Sequence, residues 1–345
     1  IFDPACGSGN FLIIAYKELR RLEMEIFKEM GSLALSEISL NQFYGIEIDE
    51  FAQEIAILAL WLTKHQMNVE FFKEFGRTNP TLPLTDAGNI VQGNACRLDW
   101  EEVCPKVDND EVYLLGNPPY VGARNQSNNQ KEDLYCNFKN LSKFKDLDYI
   151  SIWFYKGANY IKDSLASLAF VSTNSICQGE QVSLLWPNII KDNIEIGFVH
   201  RSFLWTNNAK NKASVFVIII GLRNVSNKNK IIFDDNHTIS TKKINAYLLS
   251  SNDVYVPRRR IPISNQLPPM PKGNMPYDGG NLILNKNEKL KYESDFPGIE
   301  KFIKRLYGAR EFINDIERYC FWIDDSLLND ALSYDVINKR VSEVK

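Results

Sequence analysis

Two short segments of this chain hold residues whose types and spacing can do chemistry. Asn117-Pro118-Pro119-Tyr120 places an amide, two consecutive prolines and an aromatic ring within four positions. An amino nitrogen on a planar conjugated ring has its lone pair delocalised into that ring, so it must be drawn out of conjugation before it can attack anything. Two well-placed hydrogen-bond acceptors achieve this, consecutive prolines fix the loop that carries them, and a neighbouring ring can cover the planar face. Upstream, Asp3-Pro4-Ala5-Cys6-Gly7-Ser8-Gly9-Asn10-Phe11 contains a glycine turn of the kind that leads into a helix and holds a nucleotide-like group, although the third glycine of the dinucleotide spacing is missing. Such chemistry needs no metal and no Ser, Cys or His nucleophile or base. The scattered His65, His200 and His237 read as structural.

The elements that must position these segments follow from periodicity. Ile1-Phe2-Asp3 reads as the end of a strand whose beginning is missing, and the turn opens a helix over about 10–30 with Leu12, Tyr16, Leu19, Glu23 and Ile26 on one face. Residues 43–47 read as a second strand. A helix over about 50–67 follows, and its 55–62 stretch is apolar nearly all round, which predicts burial against a sheet. The runs 90–92 and 112–115 end in Gly-Asn, as central parallel strands carrying a site at their C-terminal ends would. Beyond a polar stretch at 123–146 come a helix at about 149–163, a strand at 168–172, and late strands at 194–200 and 215–222, the last antiparallel to its neighbour. This alternation predicts an α/β, doubly wound sheet. Six prolines, from Pro257 to Pro276, and the turn Asp278-Gly279-Gly280 mark a boundary near Val256, so the expected domains are 1–255 and 256–345. The second is expected to be partial and α+β, with a helix over 298–312 and a strand over 319–323.

With 345 residues, 44% of them hydrophobic and 12% aromatic, the chain can bury a core large enough for two domains. Its 40 Lys+Arg against 43 Asp+Glu exclude a globally basic module and leave room for a local basic face. Residues 201–230 hold Arg201, Lys210, Lys212, Arg223, Lys228 and Lys230 without one acidic residue, and Arg258-Arg259-Arg260 follows. Either phosphate contact or an ordinary solvated surface accounts for this. The six cysteines form no Cys-x-x-Cys pair, which argues against a zinc site or disulfide framework and for a reducing cytoplasm. No apolar run approaches the ~20 residues of a membrane span, and no targeting segment is present.

Together the two segments, in this order, resemble the gamma-type N6-adenine DNA methyltransferases. The similarity is closest to the MmeI-like type IIG/IIL restriction-modification enzymes, as Ala209-Lys210-Asn211-Lys212-Ala213, Met275 to Gly280 and Arg318-Tyr319-Cys320-Phe321-Trp322 also suggest. The resemblance implies a Rossmann-like class I fold and S-adenosyl-L-methionine as cofactor. It assigns Asp3, Ala5, Gly7, Gly9, Asn10 and Phe11 to the cofactor loop, with Asp3 near the cofactor ammonium. Glu47 would accept the ribose hydroxyls; it comes later than the roughly 20 residues usual after the glycines because the first helix is long. Ile48 would pack on the cofactor adenine, while Asp49 reads as the cap of the next helix. Where the family commonly has an acidic residue against that adenine, this chain has Asn94, with Asp99 a nearby substitute.

In the same family the Asn117 oxygen and the Pro118 carbonyl would accept the two amine hydrogens of the substrate, with Pro119 fixing the loop and Tyr120 stacking on the base. A duplex hides that amine, so double-stranded DNA is the expected partner and the adenine must be flipped out. Trp205, with Phe203 in reserve, is the expected second clamp, although aromatics before a strand also serve as core. Lys210, Lys212, Arg258, Arg259 and Arg260 are the candidate DNA contacts. The resemblance places the chain within a bacterial, cytoplasmic enzyme whose upstream helical segment and nuclease lie outside these residues; Glu343-Val344-Lys345 is too short a pattern to assign cleavage. Two rivals stand beside it, a protein glutamine N5-methyltransferase and a DNA-binding fragment inactive in isolation.

Overall fold

The computed structural model describes residues 1–345 except 32–34, 78–87, 108–109, 192, 206–214, 235–236, 260, 263, 265, 267–275 and 345. The chain divides into two compact units, Ile1–Arg259 and Arg260–Lys345. In the first, the order is β1 (Phe2–Asp3), α1 (Asn10–Met30), β2 (Tyr44–Glu47), α2 (Glu50–Phe75), β3 (Asn89–Gln92), α3 (Trp100–Val103), β4 (Tyr113–Gly116), α4 (Asn128–Phe138), α5 (Ser151–Ile161), β5 (Ser167–Thr173), α6 (Gly179–Leu185), β6 (Ile194–Trp205), β7 (Val215–Asn224), β8 (Lys230–Asp234) and β9 (His237–Thr241).

Among the described residues these strands form one sheet of nine, ordered β3-β2-β1-β4-β5-β7-β6-β8-β9. β1 to β5 run parallel and β7 runs against both β5 and β6. The strand order reverses between β1 and β4, and ligands of open α/β sheets bind beyond the carboxyl ends of the strands at such a point. The fold is the doubly wound, Rossmann-like one expected. Two cores sandwich the sheet. Gly45 and Ile90 share a level and a face, and Ile90 packs with Leu12, Tyr16, Leu60 and Phe71 of α1 and α2. Ile46 points the other way, into a larger core with Trp100, Trp153, Phe154 and Trp186.

Several expectations need correction. β3 is the sheet's edge rather than a central strand, and only Ile90 of its four residues is buried. α2 runs on to Phe75, where Gly76 ends it in a left-handed conformation, and it is buried on one face only. Ala56, Leu60, Met67 and Phe71 lie inward while Phe51 is 70% exposed, because one side of a helix suffices to cover the sheet. On α1, Ile26 is exposed and the inward face is Leu12, Tyr16, Arg20, Glu23 and Met24. The polar stretch at 123–146 contains α4, and β6 extends to Trp205.

The second unit comprises β10 (Ile283–Asn285), α7 (Lys286–Asp295), β11 (Ile303–Arg305), α8 (Ala309–Ile313), β12 (Arg318–Phe321), α9 (Leu328–Leu332) and α10 (Asp335–Ser342), with β12 between β10 and β11 in an antiparallel sheet. The helix expected over 298–312 does not form. Gly298 breaks the chain with φ 92°, Ile303 pairs with Phe321, and Ile299 and Phe302 fill the small core, so strand pairing takes the middle of that segment. Among the described residues, no helix in either unit is long and apolar enough to cross a membrane.

Candidate active site

Six residues, Pro4 to Gly9, separate β1 from the start of α1, and the two glycines among them make the geometry possible. Gly9 caps α1 at φ 83°, a conformation that L side chains rarely adopt, and its Cα faces Ala56 of α2 so closely that an added Cβ would lie 3.1 Å from the Ala56 Cβ. The loop is held from the neighbouring strand by Glu47, at the end of β2. Its Oε2 accepts the Gly7 N–H at 2.8 Å and its Oε1 accepts the Asp49 N–H at 3.0 Å. Asp49 in turn caps α2 through Ala52 N at 2.8 Å, as expected. Asp3 lies beneath the turn, fully buried, with Oδ1 accepting from Ala5 N at 3.0 Å and Oδ2 without a partner. Burial pushes its pKa up to about 7, the Ala5 hydrogen bond pulls the other way, and the charge of Glu47 adds to the rise. A side chain at Gly116 would collide with Asp3, since a Cβ there would sit 2.4 Å from Oδ1; Gly116 thereby lets β4 bring Asn117 alongside the turn.

A cavity of about 930 Å³ opens at the carboxyl ends of β1, β2, β3 and β4. It is lined by Ala5, Gly7, Glu47, Ile48, Asn94 and Asn117, so the structure brings together residues predicted from four separate segments. Pro4 and Pro119 line it as well. Asp3, Gly9, Asn10, Phe11, Pro118 and Tyr120 are not in its lining; Asp3 and Pro118 are buried beneath it, and Asn10 opens α1.

The wall around Asn94 differs from expectation. Its Oδ1 accepts the Cys96 N–H at 2.9 Å, and its Nδ2 donates to both oxygens of Asp133 at 3.2 and 3.1 Å. Asp133, on α4, is 2% exposed, accepts from Arg97 Nε at 2.6 Å and from the Tyr149 hydroxyl at 2.8 Å, and itself lines the cavity. Burial raises the Tyr149 pKa well above the usual phenol range, with Cys96 and Asp133 adding to the shift, so its hydroxyl remains a donor. Asp99, the expected substitute, instead caps α3 through Glu101 N at 2.9 Å. Asp133, Tyr149 and Trp153 are among the lining residues that sequence reasoning missed. A signal for α4 was present: Ser127 and Gln130 form a reciprocal capping box, the S-x-x-Q pattern that opens a helix.

The Asn117–Tyr120 loop is fixed from behind. Val121 N donates to Asp148 Oδ1 at 3.0 Å, Tyr149 N donates to the Val121 carbonyl at 3.1 Å, and Gln126 Nε2 donates to the same carbonyl at 2.9 Å. Tyr120 is half-buried against the larger core. Asn117 is different: its Oδ1 is shielded from solvent and has no hydrogen-bond partner. Buried polar groups are nearly always paired, so an unpaired acceptor at the mouth of β4 calls for an explanation.

Trp205 and Phe203 stand at the end of β6, half-buried, their rings 6.3 Å apart, and outside the cavity lining. Neither belongs to a core cluster. Phe203 is level with Val217, which is level with Thr173, three residues past the Phe170 that pairs with Gly116. β6 therefore carries Trp205 past the carboxyl ends of β4 and β5, at the same end of the sheet as the cavity.

Three cations of the expected basic face have acidic partners: Arg201 pairs with Asp234 at 2.6 Å, and Arg223 and Lys230 both pair with Glu195, at 3.0 and 2.8 Å. Their acidic partners lie on β6 and β8, outside the acid-free stretch or at its back, which sequence spacing could not reveal. Lys228, Arg258 and Arg259 are exposed, Arg258 within 3.4 Å of Glu180. Lys210, Lys212 and Arg260 lie outside the described residues. All six cysteines are free, and no group of metal-ligating side chains occurs among the described residues.

Comparison with known proteins follows the division of the chain. The profile of the MmeI DNA-methyltransferase domain matches residues 1–234, and that of the MmeI target recognition domain matches residues 250–345. DNA methyltransferase A of Bacillus subtilis (strain 168) is 45% identical over 348 residues, covering 99% of this chain and 40% of that protein. A putative type II restriction enzyme and methyltransferase of Methanocaldococcus jannaschii is 44% identical over 147 residues, 38% of this chain and 12% of that one. The structure of the type IIL restriction-modification enzyme MmeI in complex with DNA superposes with a TM-score of 0.89 at 41% identity, covering 99% of this chain and 47% of MmeI. The chain thus spans less than half the length of these relatives.

Proposed function

Since the chain belongs to the MmeI family of DNA methyltransferases, we propose that its first unit methylates the N6 amine of an adenine flipped out of double-stranded DNA, with S-adenosyl-L-methionine as methyl donor. The observation that carries the adenine reading is the unpaired Asn117 Oδ1 beside the cavity. An amine hydrogen would satisfy it, the Pro118 carbonyl would take the second, and the nitrogen lone pair would be freed to attack. Preorganised acceptors of this kind need no rearrangement during reaction. Tyr120 would cover one face of the base and Trp205 the other.

The cofactor fits the remaining residues. When bound it supplies an electrophilic methyl group on a sulfonium. Asp3, whose Oδ2 is buried and unpaired, would hold its ammonium, Gly7 and Ala5 would let the backbone approach, and Glu47 would accept from the ribose with the lone pairs its two backbone donors leave free. Ile48, 65% exposed at the cavity rim, would lie against the purine. Arg258, Arg259 and the loop lysines would contact phosphates. The second unit would contribute base recognition within a longer bacterial, cytoplasmic restriction-modification enzyme, the relatives being more than twice as long.

Incubation with labelled S-adenosylmethionine and genomic DNA, followed by single-base mapping of the product, tests the reading. Label at adenine N6 within one sequence context is the expected result. Label on cytosine, or on a protein glutamine and not on DNA, would overturn it.

A further inference from the structure

The turn after β1 and the Asn117–Tyr120 loop leave different strands, yet a single segment is bonded to both. Residues 148–153 run as a hydrogen-bonded turn into α5, Ser151 N donating to the Asp148 carbonyl and Trp153 N to the Ile150 carbonyl, each at 3.0 Å. At one end, buried Asp148 accepts the N–H of Val121, the residue after Tyr120, on Oδ1 at 3.0 Å and the Ser175 hydroxyl on Oδ2 at 3.3 Å. At the other, buried Trp153 donates its indole Nε1 to the Pro4 carbonyl at 3.1 Å. Tyr149 joins the two ends. Its ring meets Trp153 edge-on with centroids 5.3 Å apart, its N–H donates to the Val121 carbonyl at 3.1 Å, and its hydroxyl donates to Asp133. Pro4, Pro119, Tyr149 and Trp153 all line the cavity. A buried indole N–H needs an acceptor, and any core carbonyl would satisfy it. Here the acceptor lies in the turn beneath which Asp3 sits, and one bonded turn of chain gives its two ends little freedom to move apart.

Resting on the methyl-transfer reading above, we propose that residues 148–153 set the register between cofactor and target base, with Trp153 and Asp148 as positioning residues that act through the Pro4 carbonyl and the Val121 N–H. Transfer needs the methyl group and the attacking nitrogen aligned at contact distance, and an error near 1 Å costs about 10² in rate. Each reactant is held by a different loop, so their separation is only as well defined as the link between the loops. The same link couples them. Filling the turn after β1 stiffens the Asn117–Tyr120 loop out to Tyr120 and Val121, which lie outside the cavity lining.

Amide hydrogen exchange of the full chain, with and without saturating S-adenosylhomocysteine, reads that coupling without turnover. In the wild-type protein the compound should slow exchange at residues 5–9 and also at 120–122, there by about fivefold or more, the lower end of ordinary coupling between sites. Trp153→Phe keeps a ring and loses the indole N–H. In it protection at 5–9 should persist while that at 120–122 drops below about twofold, and single-turnover methyl transfer at saturating cofactor and DNA should fall by about 10- to 100-fold. Asp148→Ala should do the same, whereas Asp148→Asn, which retains an acceptor for Val121 N, should restore both readouts. Protection at 120–122 that survives in Trp153→Phe, or that never arises in the wild-type protein although 5–9 is protected, overturns the proposal. So does an undiminished transfer rate. Should Trp153→Phe not fold, the two Asp148 variants carry the comparison, and equal loss in both is then the overturning result. Absence of protection at 5–9 in the wild-type protein would instead sink the cofactor reading on which the inference stands.

Discussion

On the wall of the cavity formed by the glycine turn, Glu47, Asn94 and Asp133, most polar side chains already have protein partners, whereas on the wall formed by Asn117 the side-chain oxygen has none. The first wall is part of the scaffold. Glu47 joins the end of β2 to the turn after β1, and Asp133 joins α4 to the end of β3. The second is scaffolded through its backbone and its neighbours, Val121, Asp148 and Gln126, which leaves Asn117 with no visible structural duty. A residue that serves both fold and ligand should therefore respond to mutation in both readouts, and one that serves ligand alone in only one.

The sharpest break of that contrast is Asn117→Ala. Methyl transfer should fall by about 10² or more, the scale of one preorganised transition-state contact, with cofactor affinity and Tm nearly unchanged. A variant that also loses several degrees of Tm would show that Asn117 supports the loop after all. Glu47→Ala should behave oppositely. Removing a charge-assisted acceptor costs about 1.5–3 kcal/mol, so cofactor Kd should rise by roughly 10- to 100-fold, and Tm should fall as well because Gly7 N and Asp49 N lose their acceptor. Loss of affinity at constant Tm would mean that the turn holds itself.

Asp3 adds a pH dependence to the same wall. Its pKa is raised from 3.8 to about 7 by burial, so between those values the folded protein keeps the carboxyl neutral where an exposed one would be ionised. A cation bound beside it favours the ionised form. Cofactor affinity should then weaken by about tenfold per pH unit as pH falls from 7 to 5, with proton release on binding in that window. Asp3→Asn should flatten the profile. Calorimetry in buffers of different ionisation enthalpy measures the released proton, and an unchanged slope in Asp3→Asn would assign the dependence to another group.

How much of this could be read without coordinates depended on whether a residue's partner lay near it in sequence. The turn at Gly7 to Gly9, the Asp49 cap and the ends of β2 and β4 follow from local rules, and so the parallel half of the sheet was legible. Edge and centre were not: four-residue strands such as β3 and β4 look alike until pairing is known. Asp133 escaped because α4 is polar and its inward residues, Asp133, Leu134 and Phe138, make a narrow stripe; only the capping box announced the helix. The acid-free run from 201 to 230 concealed partners for the converse reason, since Asp234 and Glu195 pair with Arg201, Arg223 and Lys230 from outside it. In the second unit, helical spacing over 298–312 was overridden by the pairing of Ile303 with Phe321.

The smallest effect concerns Trp205, which tests whether the substrate wall extends to the overhanging end of β6. Its ring is half-buried, belongs to neither core cluster, and lies 6.3 Å from Phe203. If Trp205 and Tyr120 sandwich the extruded adenine, replacing either by Ala should cost about 1–3 kcal/mol of base stacking. Trp205→Phe keeps a ring face and should stay within a few tenths of a kcal/mol of wild type, well under the ~1 kcal/mol lower bound for losing a stack. Once mapping has identified the target adenine, 2-aminopurine placed there reports the difference, since its fluorescence responds to the loss of a stacking partner. Trp205→Ala should change that signal and Trp205→Phe should largely preserve it. If Trp205→Ala leaves both fluorescence and turnover unchanged while Phe203→Ala alters them, the clamp moves two residues back along β6. Both rings share one side of that strand, so such a result would relocate the contact and keep the wall.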